Sequence, residues 1–579
     1  MGFEPTMSFW PIHTFQACSF DHSDTPLGGG KPGQRYGAGA GPASLWGGGV
    51  TFGPMTTPAF WARRRTGWAV AGALAALCAA LPTRNSTADA WAYAAQVRYG
   101  HELLLPHHLW HSAAGWAWVR GLAALGLHPD ALAALKLLNA LAAGALLAAL
   151  GGLLRRAGGP ATPVAAWLLA VGSSFGLLRF ATENETYVLP LLASVLASAA
   201  WARAMRGPAG RARPGGLLVA GTWAAVGALL HQVHFWWWLG LLAGSAWGPP
   251  PPTGPGAETP WRRARWFGLP AAVLWPLAYA AALPAWGLPL TPGALWRFGL
   301  HDYYSGTAGH GSLGHGLLLT GIGLGRTLVQ LHGYLGPLLR RWPALGLVAA
   351  GGAALGFYAL RQARQARRTT TAPPSPAQGR RTAATHALIF ALQLVFAAVS
   401  DGNAEFMVML PALAAVVAVG TGGARLPGRA VAAAAGALLA WNLAFGLLPL
   451  HFLVFQNTAP LLAGLRTRPQ ARLLLADPNL LLNQWHYQTG QASAPPRVLP
   501  APARLVQRLG GLAPARAWLG AQGRAGRPVL TDLVGNARPF DRARLTVGDV
   551  NVALVAGFSA VKVDSAATFF GPYYLSELR

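Results

Sequence analysis

Asp89 stands directly after the first apolar stretch of this 579-residue chain, and Tyr99-Gly100-His101-Glu102 and Pro106-His107-His108-Leu109-Trp110-His111 follow it closely. A carboxylate in such a place has two chemical uses: general base for an incoming hydroxyl, or ligand to a divalent cation beside a phosphate. It also has a plain structural one, because Thr87 or Asp89 is a favoured N-cap for a helix through Trp91 to Tyr99. His107 and His111 are four apart and share a face if their segment is helical. Their spacing lacks the signature of a metal site, so phosphate contact or hydrogen bonding at an interface is the expected use of these histidines. If a metal binds, Asp89 is the ligand the sequence nominates.

Three further turns carry candidates. Arg179 and Glu183 are one helical turn apart and read as a surface ion pair of little energy, which leaves Glu185, next to Tyr187, for chemistry. His231-Gln232-Val233-His234 precede Phe235 and three successive tryptophans, Trp236 to Trp238, which read as an interface belt. Asp401, Asn403 and Glu405 form the third turn. Gly309-His310-Gly311-Ser312-Leu313-Gly314, just after Asp302-Tyr303-Tyr304, matches a dinucleotide fingerprint by letters only; no strand precedes it, and it reads as an outer loop.

The elements that must position these residues are helices in a membrane. Of the chain, 53% is hydrophobic and 11% charged, and the apolar residues fall in blocks of bilayer-spanning length. The expected fold is all-α and polytopic, with about eleven transmembrane helices near 66–82, 131–153, 162–181, 187–205, 216–231, 233–247, 267–286, 343–360, 386–400, 404–420 and 430–450. The net charge of +27 comes from arginines clustered between those blocks, which marks cytoplasmic loops and argues against a nucleic-acid partner. Ala62-Arg63-Arg64-Arg65 followed by Gly67 to Leu81 reads as an uncleaved signal anchor, which puts Asp89 outside the cytoplasm. For the loop pattern to hold, Gly316 to Leu339 must lie on the outer surface or re-enter. Between residues 55 and 450 there are nine acids, Asp89, Glu102, Asp130, Glu183, Glu185, Glu258, Asp302, Asp401 and Glu405, and this threading puts all but Glu258 on the outer side. Acids hardly influence insertion, so a site on that face is the expected reason.

Three regions follow. Residues 1–54 are Gly-rich without apolar period and read as a disordered or non-native extension; 55–450 form the transmembrane domain; 451–579 form a small extracytoplasmic α/β domain. In that last domain Arg472 to Ala476, Pro528 to Thr531, and Val552 to Val555 with Ala560 to Val563 read as strands, while Asn479 to Tyr487 and Pro502 to Leu509 read as helices.

The ordered set of Asp89, Gly100, Leu105-Pro106-His107-His108-Leu109, Glu185-Thr186-Tyr187, Leu230-His231-Gln232-Val233-His234 and Asp401-Gly402-Asn403-Ala404-Glu405-Phe406 resembles the GT-C superfamily. These are membrane glycosyltransferases of the protein O-mannosyltransferase and lipid-A sugar transferase kind. The resemblance covers about residues 60 to 450. It implies transfer of a sugar from a polyprenyl-phosphate carrier to a protein, lipid or polysaccharide hydroxyl, at the extracytoplasmic face of the cell membrane. It carries the role of base or metal partner onto Asp89. Many members have two adjacent acids there, whereas this chain has Ala88-Asp89-Ala90, so a divalent cation becomes an open question and Glu185 the candidate second carboxylate. His107, His108, Arg179, His231, His234, Asp401 and Glu405 are the candidates for holding substrate and phosphate. A transporter or lipid flippase is the rival class, but it would place charge near the midplane and show repeated halves. An assembly scaffold with a vestigial site is the third.

Overall fold

The computed structural model describes residues 62–579 except 160–161, 207–211, 248–258, 305–312, 332–333, 370–376, 423–425 and 537–549. The 1–54 extension, Glu258, His332 and Gly309 to Ser312 therefore lie outside the described residues. From the amino-terminal side the helices are α1 (Arg64–Ala80), α2 (Ala88–Tyr99), α3 (His111–Ala124), α4 (Ala131–Gly158), α5 (Val164–Gly172), α6 (Phe175–Ala181), α7 (Val188–Ala204), α8 (Pro214–Leu230), α9 (Phe235–Ala246) and α10 (Pro260–Ala282). After two short helices come α11 (Leu313–Leu328), α12 (Leu335–Arg341), α13 (Leu345–Thr369), α14 (Ala377–Val399), α15 (Leu410–Thr421) and α16 (Gly428–Asn442).

Among the described residues five helices are long and apolar enough to cross a membrane, or up to seven if each bent pair is one span. Each of the eleven blocks named from the sequence contains helix, but length and apolarity alone single out this smaller number. Gly316 to Leu339 forms α11, a break and α12. The pair α12 and Leu345–Ala366 bends by 119°.

The ends of these helices follow local chemistry. Asp130 caps α4 by accepting the Ala133 N–H at 3.1 Å, and Arg155 and Arg156 occupy its last turn, where the helix dipole favours cations. The pair α5 and α6 is bent by 69° at Ser173 and Ser174. Asn442 makes that break tolerable: its Nδ2 donates to Ser173 O at 2.7 Å and Leu328 O at 2.8 Å, and its Oδ1 accepts Gln330 N–H at 2.9 Å. Irregular backbone at this depth survives only where such partners exist. Close helix approach needs small residues, as at Gly221, where a Cβ would lie 2.0 Å from Phe267 O.

The carboxy-terminal region carries a four-stranded sheet of order β1-β2-β4-β3, from β1 (Arg472–Leu474), β2 (Val529–Thr531), β3 (Ala560–Thr568) and β4 (Gly571–Leu578). β1 and β2 are parallel, and β4 is antiparallel to both β2 and β3. Side chains alternate between two small cores: Leu473 and Leu530 pack with Leu481 and Leu575, Leu474 and Val529 with Leu519 and Leu554. Of the expected strand stretch Val552 to Val555 with Ala560 to Val563, the second part lies in β3 but the first does not: residues 550–555 are a helix whose apolar residues join one core. β4 was not anticipated.

Candidate functional site

Thr87, not Asp89, caps α2. Its Oγ1 accepts the Ala90 N–H at 3.0 Å and donates its own hydrogen to Glu185 Oε1. Asp89 is therefore spared the capping role; it stands half-buried in the first turn, where the dipole favours an anion. Burial pushes its carboxyl up to about 6, with Asp477 adding to the rise and His107 opposing it. Gly100, left-handed at φ 71°, ends α2 and sends the chain into the histidine loop.

That loop is not a helix before His111, so His107 and His111 do not share a helical face as their spacing implied. It turns instead through a bridge between Leu105 and His108. Gln232 ties it to the second turn: its N–H donates to His107 O at 3.1 Å, and its Nε2 donates to Pro106 O at 3.1 Å and to Tyr279 Oη at 2.7 Å. The rings of His107 and His108 are 4.3 Å apart, those of His108 and His231 4.2 Å, and those of His231 and Tyr187 5.1 Å. Tyr187 Oη then donates to Glu405 Oε2 at 2.9 Å. A continuous line of polar rings thus runs from His107 to Glu405. His108 is fully buried; burial and the neighbouring His231, His107 and His111 hold its imidazole well below the ordinary range, and burial takes His111 down to about 4. At neutral pH both are uncharged, able to donate or accept a proton in a hydrogen bond but not to act as cations.

The turn carrying Glu185 is clamped from three sides. Asn139 Nδ2 on α4 donates to Glu183 O and Glu185 O, both at 2.8 Å, and Asn184 Nδ2 donates to Ala90 O at 2.8 Å. Burial raises the Glu185 carboxyl well above its usual range, and Asp89 and Glu405 raise it further while the Thr87 hydroxyl opposes. Arg179 and Glu183 do pair, at 3.3 Å, but not on the surface: Glu183 is fully buried, and Lys136 of α4 approaches its other oxygen to 3.6 Å. Lys136 Nζ is further held by Thr83 O at 2.7 Å and Ser86 Oγ at 2.6 Å. Four carboxylates, Asp89, Glu183, Glu185 and Glu405, are thus gathered with two cations.

Of the remaining candidates, His234 is buried and its Nδ1 lies 2.8 Å from Ser194 Oγ. Asp401 begins the turn that carries Glu405, at a left-handed φ of 53°. Trp237 is not at an interface: it is buried and donates to Ser198 Oγ at 2.9 Å. Among the described residues no group of three or more His, Cys, Asp or Glu side chains is arranged to hold a metal ion.

No family profile matches the chain, and no curated protein does. Among solved structures it is similar to the archaeal oligosaccharyltransferase AglB from Archaeoglobus fulgidus, in complex with an inhibitory peptide and a dolichol-phosphate: 10% identity over 89% of this chain and 74% of that one, TM-score 0.44. It is also similar to ArnT from Cupriavidus metallidurans bound to undecaprenyl phosphate, at 16% identity over 88% of this chain and 98% of that one, TM-score 0.36. ArnT without ligand gives 15%, 89%, 98% and 0.34.

Two residues at the site were not foreseen. Lys136 was readable, as one lysine inside a long apolar block, the kind of residue that is seldom placed there without a partner. Asp477 was not. It comes from the carboxy-terminal domain, whose helix Asn479–Thr489 (α17) lies against α2: Asn483 Nδ2 donates to Ala88 O at 2.8 Å, Tyr99 Oη to Tyr487 O at 2.9 Å, and the Trp91 and Tyr487 rings are 5.1 Å apart.

Proposed function

We propose that this chain is a membrane glycosyltransferase that moves a sugar from a polyprenyl-phosphate carrier to a hydroxyl of a protein, lipid or polysaccharide at the extracytoplasmic face. Asp89 accepts the proton of the acceptor hydroxyl. The hydroxyl oxygen bonds to the anomeric carbon from the side opposite the carrier, the bond from that carbon to the phosphate oxygen breaks, and its electron pair leaves with the polyprenyl phosphate; the sugar is inverted. Arg179 offsets the charge growing on that phosphate, and His107 and His108 donate hydrogen bonds to it. His231, His234, Asp401 and Glu405 line the donor side, and Glu185 fixes the first turn of α2 through Thr87.

The observation that carries this reading is the division of labour at the start of α2: Thr87 caps, which leaves the raised carboxyl of Asp89 facing other acids and a histidine. A base works best with a pKa near the working pH. The test is transfer from a radiolabelled polyprenyl-phosphate sugar in membranes containing the Asp89→Asn chain. Transfer is expected to be abolished while the protein remains inserted and folded; retained turnover removes Asp89 from the site.

A further inference from the structure

Away from the Asp89 region, five arginines meet at the ends of three helices. Arg64 opens α1, Arg155 and Arg156 close α4, and Arg203 and Arg206 stand at and beyond the end of α7. Arg64, Arg155, Arg156 and Arg206 line a cleft of about 280 Å³ together with Gly152. Their charges act on one another: Arg64 on Arg155, and Arg203 and Arg206 on Arg156. Arg206 donates to the Arg156 carbonyl, and among the described residues none of the five pairs with a carboxylate. A Cβ at Gly152 would lie 3.2 Å from Arg156 Nη1, so the glycine leaves room for that guanidinium.

The cleft is at the other membrane surface. Lys136, which contacts the Asp89 side of the molecule through Thr83 and Glu183, and Arg156 are on the same helix, about 30 Å apart at 1.5 Å per residue, which is the thickness of the hydrocarbon layer. Loop marking explains arginines at helix ends, and the helix dipole favours those closing α4 and α7 but not Arg64 at the start of α1. They do not explain the convergence of three ends on one cleft with like charges uncompensated. An anion between them would replace that repulsion with charge-assisted hydrogen bonds, and basic pockets between transmembrane helices suit lipid phosphates.

We infer that this cleft binds a phosphate group, carried either by an anionic membrane lipid or by a soluble phosphate, on the surface opposite Asp89. The test uses the full chain in lipid nanodiscs, with thermal unfolding as readout. The arms are phosphatidylglycerol discs, phosphatidylcholine discs, and phosphatidylcholine discs with millimolar inorganic phosphate. An Arg155→Gln/Arg156→Gln/Arg206→Gln variant is run beside the wild type, as is an Arg262→Gln/Arg265→Gln control that removes two exposed charges from another helix end. The expected result is a midpoint several degrees higher in phosphatidylglycerol for wild type and control, and not for the triple variant, whose midpoint in phosphatidylcholine shows that it folds. The same pattern with inorganic phosphate supports the cleft with a soluble ligand. No shift from either source, or a shift the triple variant keeps, overturns the inference.

Discussion

Thr87 and Glu185, 98 residues apart, are joined by a hydrogen bond from the threonine hydroxyl to the carboxylate, and the same hydroxyl oxygen caps the helix that bears Asp89. One side chain thus fixes the distance between the two acids. Losing the cap costs about 1 kcal/mol, and leaving the buried Glu185 short of a donor adds about 1–3 kcal/mol. Thr87→Ala is expected to lower the unfolding midpoint clearly, and Thr87→Ser to restore most of it. Equal midpoints for the two variants would show that the hydroxyl holds nothing.

With Asp89 as the proposed base, the acid limb of the rate profile is expected to follow its carboxyl. Burial and Asp477 push that carboxyl up to about 6, so below that pH transfer is expected to fall about tenfold per pH unit. Asp477→Asn is expected to move the limb to lower pH without abolishing transfer. A limb near 4 in the wild type would mean that another group is the base.

Raising a carboxyl's pKa also disfavours the fold whenever that carboxyl is ionised. The stability present below the ordinary carboxylate range is lost as pH rises to about 6. At pH 7 the Asp89→Asn chain is therefore expected to unfold at or above the wild-type midpoint, although it has lost transfer. A markedly lower midpoint would show the carboxylate to be structural.

Glu183 faces both Arg179 and Lys136, so substitutions at the acid and at one of its cations are not equivalent. Lys136→Met leaves Glu183 one cation and is expected to cost about 1–3 kcal/mol. Glu183→Gln leaves two buried cations without their shared anion, at about 3–5 kcal/mol. Denaturation of the two variants in detergent ranks them; the reverse order would place the weight of the cluster on the lysine.

Gly402 is left-handed at φ 68°, and a Cβ there would lie 2.4 Å from both Leu319 C and Thr320 N. Gly287 has a similar φ of 64° with no atom within 4 Å. Gly287→Ala is expected to show only the left-handed cost of about 1–2 kcal/mol, whereas Gly402→Ala adds a collision with backbone that displaces the turn carrying Glu405. Unfolding midpoints of the pair separate the two effects.

Much of this arrangement could be read from residue types alone. Apolar blocks marked the helices, and the odd polar residues between them marked the turns that meet around Asp89. What sequence could not show was which residue would cap α2, since Thr87 and Asp89 are both good caps and only the presence of Glu185 across the fold decides. Nor could it show that the Arg179 pair is buried, because Lys136 comes from a different helix. The histidine spacing misled, since a period of four has meaning only on a helix, and Pro106 with the Leu105–His108 bridge prevents one. The strand error at 550–555 has a similar cause: a short apolar run suits either element until its partners are known.

The sheet of the carboxy-terminal domain has consequences for the order of biosynthesis. β4, last of the strands along the chain, inserts between β2 and β3, so the sheet cannot close until residues beyond 571 have left the ribosome. The Asn483 bond to Ala88 spans 395 positions, so α17 can settle on the start of α2 only after that long stretch has been made. Until then the start of α2 lacks the Asn483 bond to Ala88 and the Trp91–Tyr487 ring contact that hold α17 against it.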